Sequence, residues 1–178
     1  QEEGRHDISV RVETGTGWGS DSVKIDVFKP FTFVHMTDVH LGPRHPLHLL
    51  SSPEERASRF QSLIDEINRR PDVDLVLITG DVVEKGDGEE GVEWFNQFIN
   101  IVNRLRAPIK VYIVPGNHEW YRGWAYGRGD LTNYNNLVNN YFMNVIRPVD
   151  RNYLIYPNNY TFDYKGYLFI GLDSGYDY

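Results

Sequence analysis

The sequence contains no cysteine, which excludes disulfides, thiolate metal sites and cysteine nucleophiles and leaves the redox compartment undecided. It also lacks any apolar run near the roughly 18 residues that a spanning helix needs, and nothing at its start resembles a signal peptide. The chain as given is therefore expected neither to cross a membrane as a helix nor to carry an export address. A start at Gln1 is not expected to be a natural one. Basic residues are in deficit, with 18 Lys and Arg against 25 Asp and Glu, a net charge of −7 and a pI near 5.3. Phosphate backbones are held by clustered Lys and Arg, and here the basic residues are scattered. This argues against a nucleic-acid partner held on a broad basic surface.

What is present is enough for one core: 178 residues with 40% hydrophobic content. The first 29 residues read as a β-hairpin. "ISVRVET" and "SVKIDVF" alternate around "GTGWG", with Ile8, Val10 and Val12 on one strand and Val23, Ile25 and Val27 on the other. Two strands alone are marginal in water. The hairpin must pack on the domain that follows or on an upstream β domain, and Lys29-Pro30 reads as a junction that favours the second. The expected division is thus 1–29 and 30–178.

From Phe31 the pattern is strand, helix, strand, helix, strand. "FTFVHM" is a short strand. "SSPEERASRFQSLIDEINRR" is a helix with Ser52 as N-cap, Pro53 at the first helical position and Glu55 closing a capping box. Phe60, Leu63, Ile64 and Ile67 form its inward stripe. "VDLVLIT" is continuously apolar, as a strand covered on both faces should be. A second helix is expected over 89–106, with Val92, Phe95, Ile99, Val102 and Leu105 inward, followed by the strand "KVYIVP". A third helix near "NYNNLVNNYFM" and the strands "NYTFDY" and "YLFIGLD" complete the α/β reading. The βαβαβ order implies a parallel sheet, whose sites lie beyond the carboxyl ends of its strands.

Each of those ends carries a polar cluster: Asp38 and His40, then Gly80-Asp81, then Gly116-Asn117-His118-Glu119. One carboxylate at a strand end is ordinarily a turn or helix cap. Three such clusters on one sheet edge point instead to a metal. Oxygen and imidazole donors without sulfur suit Mn, Fe or Zn. Two carboxylates, an amide and an imidazole are too many for one open site and suit two ions about 3.5–4 Å apart sharing a carboxylate.

"DVH" at 38–40, "GDVV" at 80–83 and "GNHE" at 116–119, in this order and at this spacing, resemble the first three motifs of the calcineurin-like metallophosphoesterases, over residues 31 to about 174. The resemblance implies a partial αββα sandwich, and hydrolysis of a phosphomonoester or phosphodiester by a hydroxide generated at two divalent cations. It also implies roles. Asp38 and His40 would bind the first metal, Asp81 would bridge, and Asn117 would bind the second. His118 would stabilise charge or protonate the leaving oxygen, while Gly80 and Gly116 would let the backbone turn tightly beneath the ions.

Departures from the pattern carry equal weight. The family completes its site with three further histidines, and no histidine follows His118. The expectation is a piece of a longer protein, inactive alone, whose natural partner is the rest of its own domain. Loss of the catalytic set, leaving a binding or scaffold module, is the alternative. At position 84, purple acid phosphatases have a tyrosine ligand and phosphoprotein phosphatases an aspartate paired with the third-motif histidine. With Glu84 there, a tyrosinate-to-iron colour is not expected, and Glu84 could pair with His118 or be a solvated loop carboxylate.

Other candidates are the loop histidines His45 and His48, and Arg122 or Arg128 as phosphate clamps. Trp120, Tyr121 or Trp124 could stack on a substrate. His35 is expected to pack or hydrogen-bond on the strand face opposite Val34 and Met36. Arg69-Arg70 ends a helix, where the dipole suffices, and "EKGDGEEGVE" reads as an acidic helix start.

Overall fold

The computed structural model describes residues 4–14, 17–27, 30–42, 51–123, 127–154 and 158–175; side chains are described for 30–42, 51–121, 129–154 and 158–175. His45, His48 and Trp124 lie outside the described residues, as do the side chains of Arg122 and Arg128. Strands β1 (Gly4–Thr14) and β2 (Gly17–Val27) form an antiparallel hairpin whose register sets Ile8 against Val23.

Strands β3 (Thr32–Met36), β4 (Val73–Thr79) and β5 (Lys110–Val114) make a parallel sheet in that order. Between them run helices α1 (Pro53–Arg69) and α2 (Gly88–Val102). α1 starts as its sequence dictates. Ser52 Oγ accepts the Glu55 N–H at 3.2 Å while the Glu55 carboxylate accepts the Ser52 N–H at 2.9 Å, so two of the helix's orphan donors are satisfied. Phe60, Ile64 and Ile67 are buried, but Leu63 is 41% exposed and does not belong to the inward stripe. On α2, Val92 is likewise 38% exposed, and Phe98 is buried in addition to Phe95 and Ile99. This helix stops at Val102, short of the expected Arg106. Turns through residues 103–105 then carry Leu105 into the core.

Strand alternation divides the sheet into two faces. Val76, Ile78, Val111 and Ile113 meet the helices. Leu77, Tyr112 and Val114 meet a second, antiparallel sheet of order β10-β9-β8, built from β8 (Asn152–Tyr153), β9 (Tyr160–Tyr164) and β10 (Tyr167–Gly171). The Phe162 ring stacks on Tyr112, with centroids 3.5 Å apart, and Phe169 stacks on Phe162. Lys165 and Gly166 close the β9–β10 hairpin with φ of 48° and 83°, the positive pair that a two-residue turn between twisted strands requires. Asp74 at the start of β4 ties the layers together, accepting from Thr32 N–H, Tyr164 Oη and Lys165 Nζ.

The long segment after β5 contains a short ribbon, β6 (Tyr121–Gly123) and β7 (Gly127–Arg128), then a helix α3 (Tyr134–Ile146) wound in the wide π register. α3 buries Tyr134, Val138, Phe142 and Met143 against α2 and β5. Both Tyr134 and Tyr160 donate their hydroxyls to the Ile113 carbonyl at 2.9 Å. The strand that leads into the third polar cluster is thereby gripped from both faces of the sheet.

Candidate metal centre at the strand ends

The loops leaving β3 and β4 run side by side. Asp38 N–H donates to Gly80 O, His40 N–H to Asp81 O, Leu41 N–H to Val82 O and Glu84 N–H to Leu41 O, at 2.7–3.2 Å. The loop after β5 comes closer still. A Cβ on Gly80, whose φ is +86°, would sit 2.6 Å from the Cα of Gly116, and one on Gly116 would meet the Asp81 carboxylate at 2.4 Å. Neither position has room for a side chain. Asp38, His40 and Asp81 themselves hold φ of 57°, 49° and 53°, left-handed values that cost a non-glycine residue energy. Strained residues of this kind cluster at active sites, and here three of them are neighbouring polar groups.

One donor atom each of His40, Asp81 and His118 lies within 4.8 Å of the others. His40 Nε2 is 3.9 Å from Asp81 Oδ2 and 3.5 Å from Asp38 Oδ1, and the two imidazole rings meet edge to face at 4.6 Å. Two ligands held at about 2.0–2.2 Å from one cation are about 3–4 Å apart, a range that the His40 separations from Asp38 and Asp81 fall within. Asn117 is exposed, next in the chain to His118, at the start of a single 3₁₀ turn over His118–Trp120. The His118 N–H donates to Asp81 Oδ1 at 3.0 Å. Its Nδ1 lies 2.8 Å from the Glu84 carbonyl; a carbonyl only accepts, so Nδ1 carries a proton and Nε2 is left for chemistry.

Glu84 is placed differently from the expectation drawn at the sequence level. Its carboxylate lies 3.2 Å from His40 Nδ1 and 3.1 Å from Arg56 Nη1, but 4.0 Å from His118 Nδ1. The main chain of Glu84 makes the hydrogen bond to His118, and its carboxylate adds a longer charge contact to the same ring nitrogen. Burial pulls the His40 pKa down, yet the Glu84 contact and the Asp81 and Asp38 charges outweigh it and leave the imidazole above 6.5. Burial likewise pushes Glu84 up, and His40, His118 and Arg56 bring it below 4.5.

Two participants escaped the sequence reading. Glu119 is 0% exposed, and its carboxylate accepts the N–H groups of Asp81, Val82, Val83 and Gly116 at 2.6–3.3 Å. Its place in "GNHE" was visible, its burial was not. Arg56 reaches from the first turn of α1 with nothing in the sequence to single it out. Of the remaining candidates, His35 Nε2 meets Thr79 Oγ1 at 2.7 Å, and Trp120 and Tyr121 are half-buried.

Residues 31–174 match the family model for calcineurin-like phosphoesterases. The chain is 32% identical over 95 residues to an uncharacterized metallophosphoesterase of Helicobacter pylori, covering 53% of this chain and 21% of that protein. It is 28% identical over 86 residues to a probable glycerophosphodiester phosphodiesterase GpdQ of Arcobacter nitrofigilis, covering 48% of this chain and 29% of that protein. The chain thus spans less than a third of the length of these curated relatives. With a match over most of its length and the three motifs on one sheet edge, the chain belongs to the calcineurin-like phosphoesterase family.

Proposed function

We propose that this domain hydrolyses phosphoric esters at a centre of two divalent cations, Mn, Fe or Zn, held at the ends of β3, β4 and β5. The observation that carries the reading is the convergence of His40, Asp81 and His118 donors within 4.8 Å. Asp38 and His40 would hold one ion, Asp81 would bridge, and Asn117 would hold the other. When bound, the cations would supply Lewis acidity, lowering the pKa of water to about 7, a drop worth roughly 12 kcal/mol at about 1.36 kcal/mol per unit, and so would make hydroxide available as the nucleophile.

The chain's own residues do the rest. His118, its Nδ1 proton held by the Glu84 carbonyl, turns Nε2 toward the phosphoryl group. There it neutralises developing charge or protonates the leaving oxygen, worth about 10²- to 10⁴-fold. Arg122 and Arg128 belong to the same reading as phosphate clamps. A diester substrate is supported by the probable phosphodiesterase among the relatives.

The same reading makes residues 30–178 the N-terminal part of the domain and 1–29 the end of an upstream β unit. The exposed outer residues Leu168 and Ile170 on β10 support further chain packing there, and further histidine ligands would come from it. The test is metal-free protein, as the 178 residues and as a longer natural chain, assayed on p-nitrophenyl phosphate and its bis-ester with Mn, Zn or Fe(II) added. No metal-dependent turnover by the longer chain would refute the proposal.

A further inference from the structure

Arg56 lies on α1, 18 residues beyond Asp38 and outside all three motifs, yet its side chain is only 12% exposed and faces the metal-ligand loops. Its position along the helix is set by the capping box, because the Arg56 N–H makes the first helical bond, to Ser52 O at 3.1 Å. From there the guanidinium fork divides between two loops. Nη1 donates to Glu84 Oε2 at 3.1 Å and Nη2 to the Gly42 carbonyl at 3.0 Å. The first acceptor follows the β4 cluster and the second follows the β3 cluster.

Glu84 in turn lies 3.2 Å from His40 Nδ1, on the side of the ring away from Asp38 and Asp81. The contact is bent, leaving that buried nitrogen without a well-aligned partner of its own. What acts on that nitrogen is the close approach of the negative carboxylate, which favours an N–H there and depends on where the carboxylate is held. The carboxylate is 6% exposed, so it cannot wander into water without leaving its place.

We propose that Arg56 is a positioning residue for His40. By fixing the Glu84 carboxylate against Nδ1 it keeps the proton on that nitrogen and the Nε2 lone pair directed at the donor cluster. The assignment rests on the metal reading above only for its consequence, not for its geometry. A planar fork that spans two acceptors is a task lysine does not perform, since an ammonium is a point charge on a shorter reach. Carboxylates that orient metal-bound histidines typically change metal affinity by about 10- to 100-fold when disturbed.

The experiment is a long-range ¹H–¹⁵N correlation of histidine-labelled, metal-free protein at a pH where His40 is neutral, beside calorimetric titration with Mn(II). Wild type is expected to show His40 protonated at Nδ1. Arg56→Met should mix the tautomers and weaken Mn(II) binding about 10- to 100-fold per folded molecule, with Arg56→Lys falling between. Arg56→Met that melts earlier but keeps the wild-type tautomer and affinity would show a packing role only, and overturn the proposal. If Arg56→Met does not fold, Arg56→Lys with wild-type tautomer and affinity overturns it as well. Wild type that takes up no Mn(II), yet loses the Nδ1 proton on mutation of Arg56, would sink the metal reading and leave the positioning role standing.

Discussion

The backbone N–H of Asp81 lies 2.8 Å from the carboxylate of Glu119, which follows it by 38 residues. Val82, Val83 and Gly116 donate to the same carboxylate, so one fully buried side chain closes the loops after β4 and β5 onto each other. Each buried donor left unpaired costs about 1–3 kcal/mol. Glu119→Ala is expected to lose at least about 2 kcal/mol in urea unfolding, even if water re-enters beside one or two of the N–H groups. Glu119→Gln retains one oxygen and should lose less. A loss below about 1 kcal/mol for the alanine variant would mean that the carboxylate is incidental.

Gly80 offers a sharper case, because two constraints coincide there. Its φ of +86° is strained for any other residue, and its missing Cβ leaves the space that Gly116 fills. Relaxing either constraint separates the β4 and β5 clusters. Gly80→Ala should therefore destabilise by more than the roughly 1–3 kcal/mol of a strained dihedral alone, and should weaken metal uptake in parallel. Alanine tolerated with unchanged midpoint would contradict the close approach.

How much of this could be read from residues alone depends on whether a local pattern decides it. β4 and the capping box of α1 follow from apolar continuity and from Ser-x-x-Glu, and both stand where expected. Leu63 and Val92 fit the helical period but fall at the edge of the stripe, where only the neighbouring layers decide burial. The convergence of three strand ends was legible because parallel topology forces it. Glu119 and Arg56 were not. Which backbone donors are buried, and which of several helix arginines faces a loop, is settled by tertiary packing. Nor does sequence announce that Asp38, His40 and Asp81 adopt positive φ, since no glycine marks them.

The His40–Glu84 pair predicts a pH window. His40 is raised above 6.5, so its contribution to the metal-free fold is complete below pH 6.5 and fades as pH rises through its folded value. Glu84 is depressed below 4.5, so its contribution is complete above pH 4.5 and fades as pH falls through its folded value. Stability from the pair is thus fullest between pH 4.5 and 6.5. His40→Gln should flatten the alkaline side of the stability profile and weaken the acid side as well, where His118 and Arg56 would remain beside Glu84. Added Mn(II) should do the opposite, stabilising more as pH rises, because the metal needs His40 deprotonated. An unchanged alkaline side in His40→Gln would break the assignment.

Asp81 and His118 are joined by a hydrogen bond, so their variants separate two roles at one place. Asparagine at 81 keeps the oxygen that accepts the His118 N–H and replaces the oxygen facing His40 with an uncharged NH2 that cannot ligate a cation. Asp81→Asn should fold normally and lose metal affinity. In the complete protein it should lower turnover by more than the roughly 10²- to 10⁴-fold expected for His118→Ala, since the cations supply about 12 kcal/mol of water activation and an acid group about 3–5. The comparison is made at one metal concentration that saturates the wild-type protein, with binding measured separately, because His118 belongs to the same donor cluster. Equal losses under those conditions would mean that Asp81 serves the histidine rather than the metal.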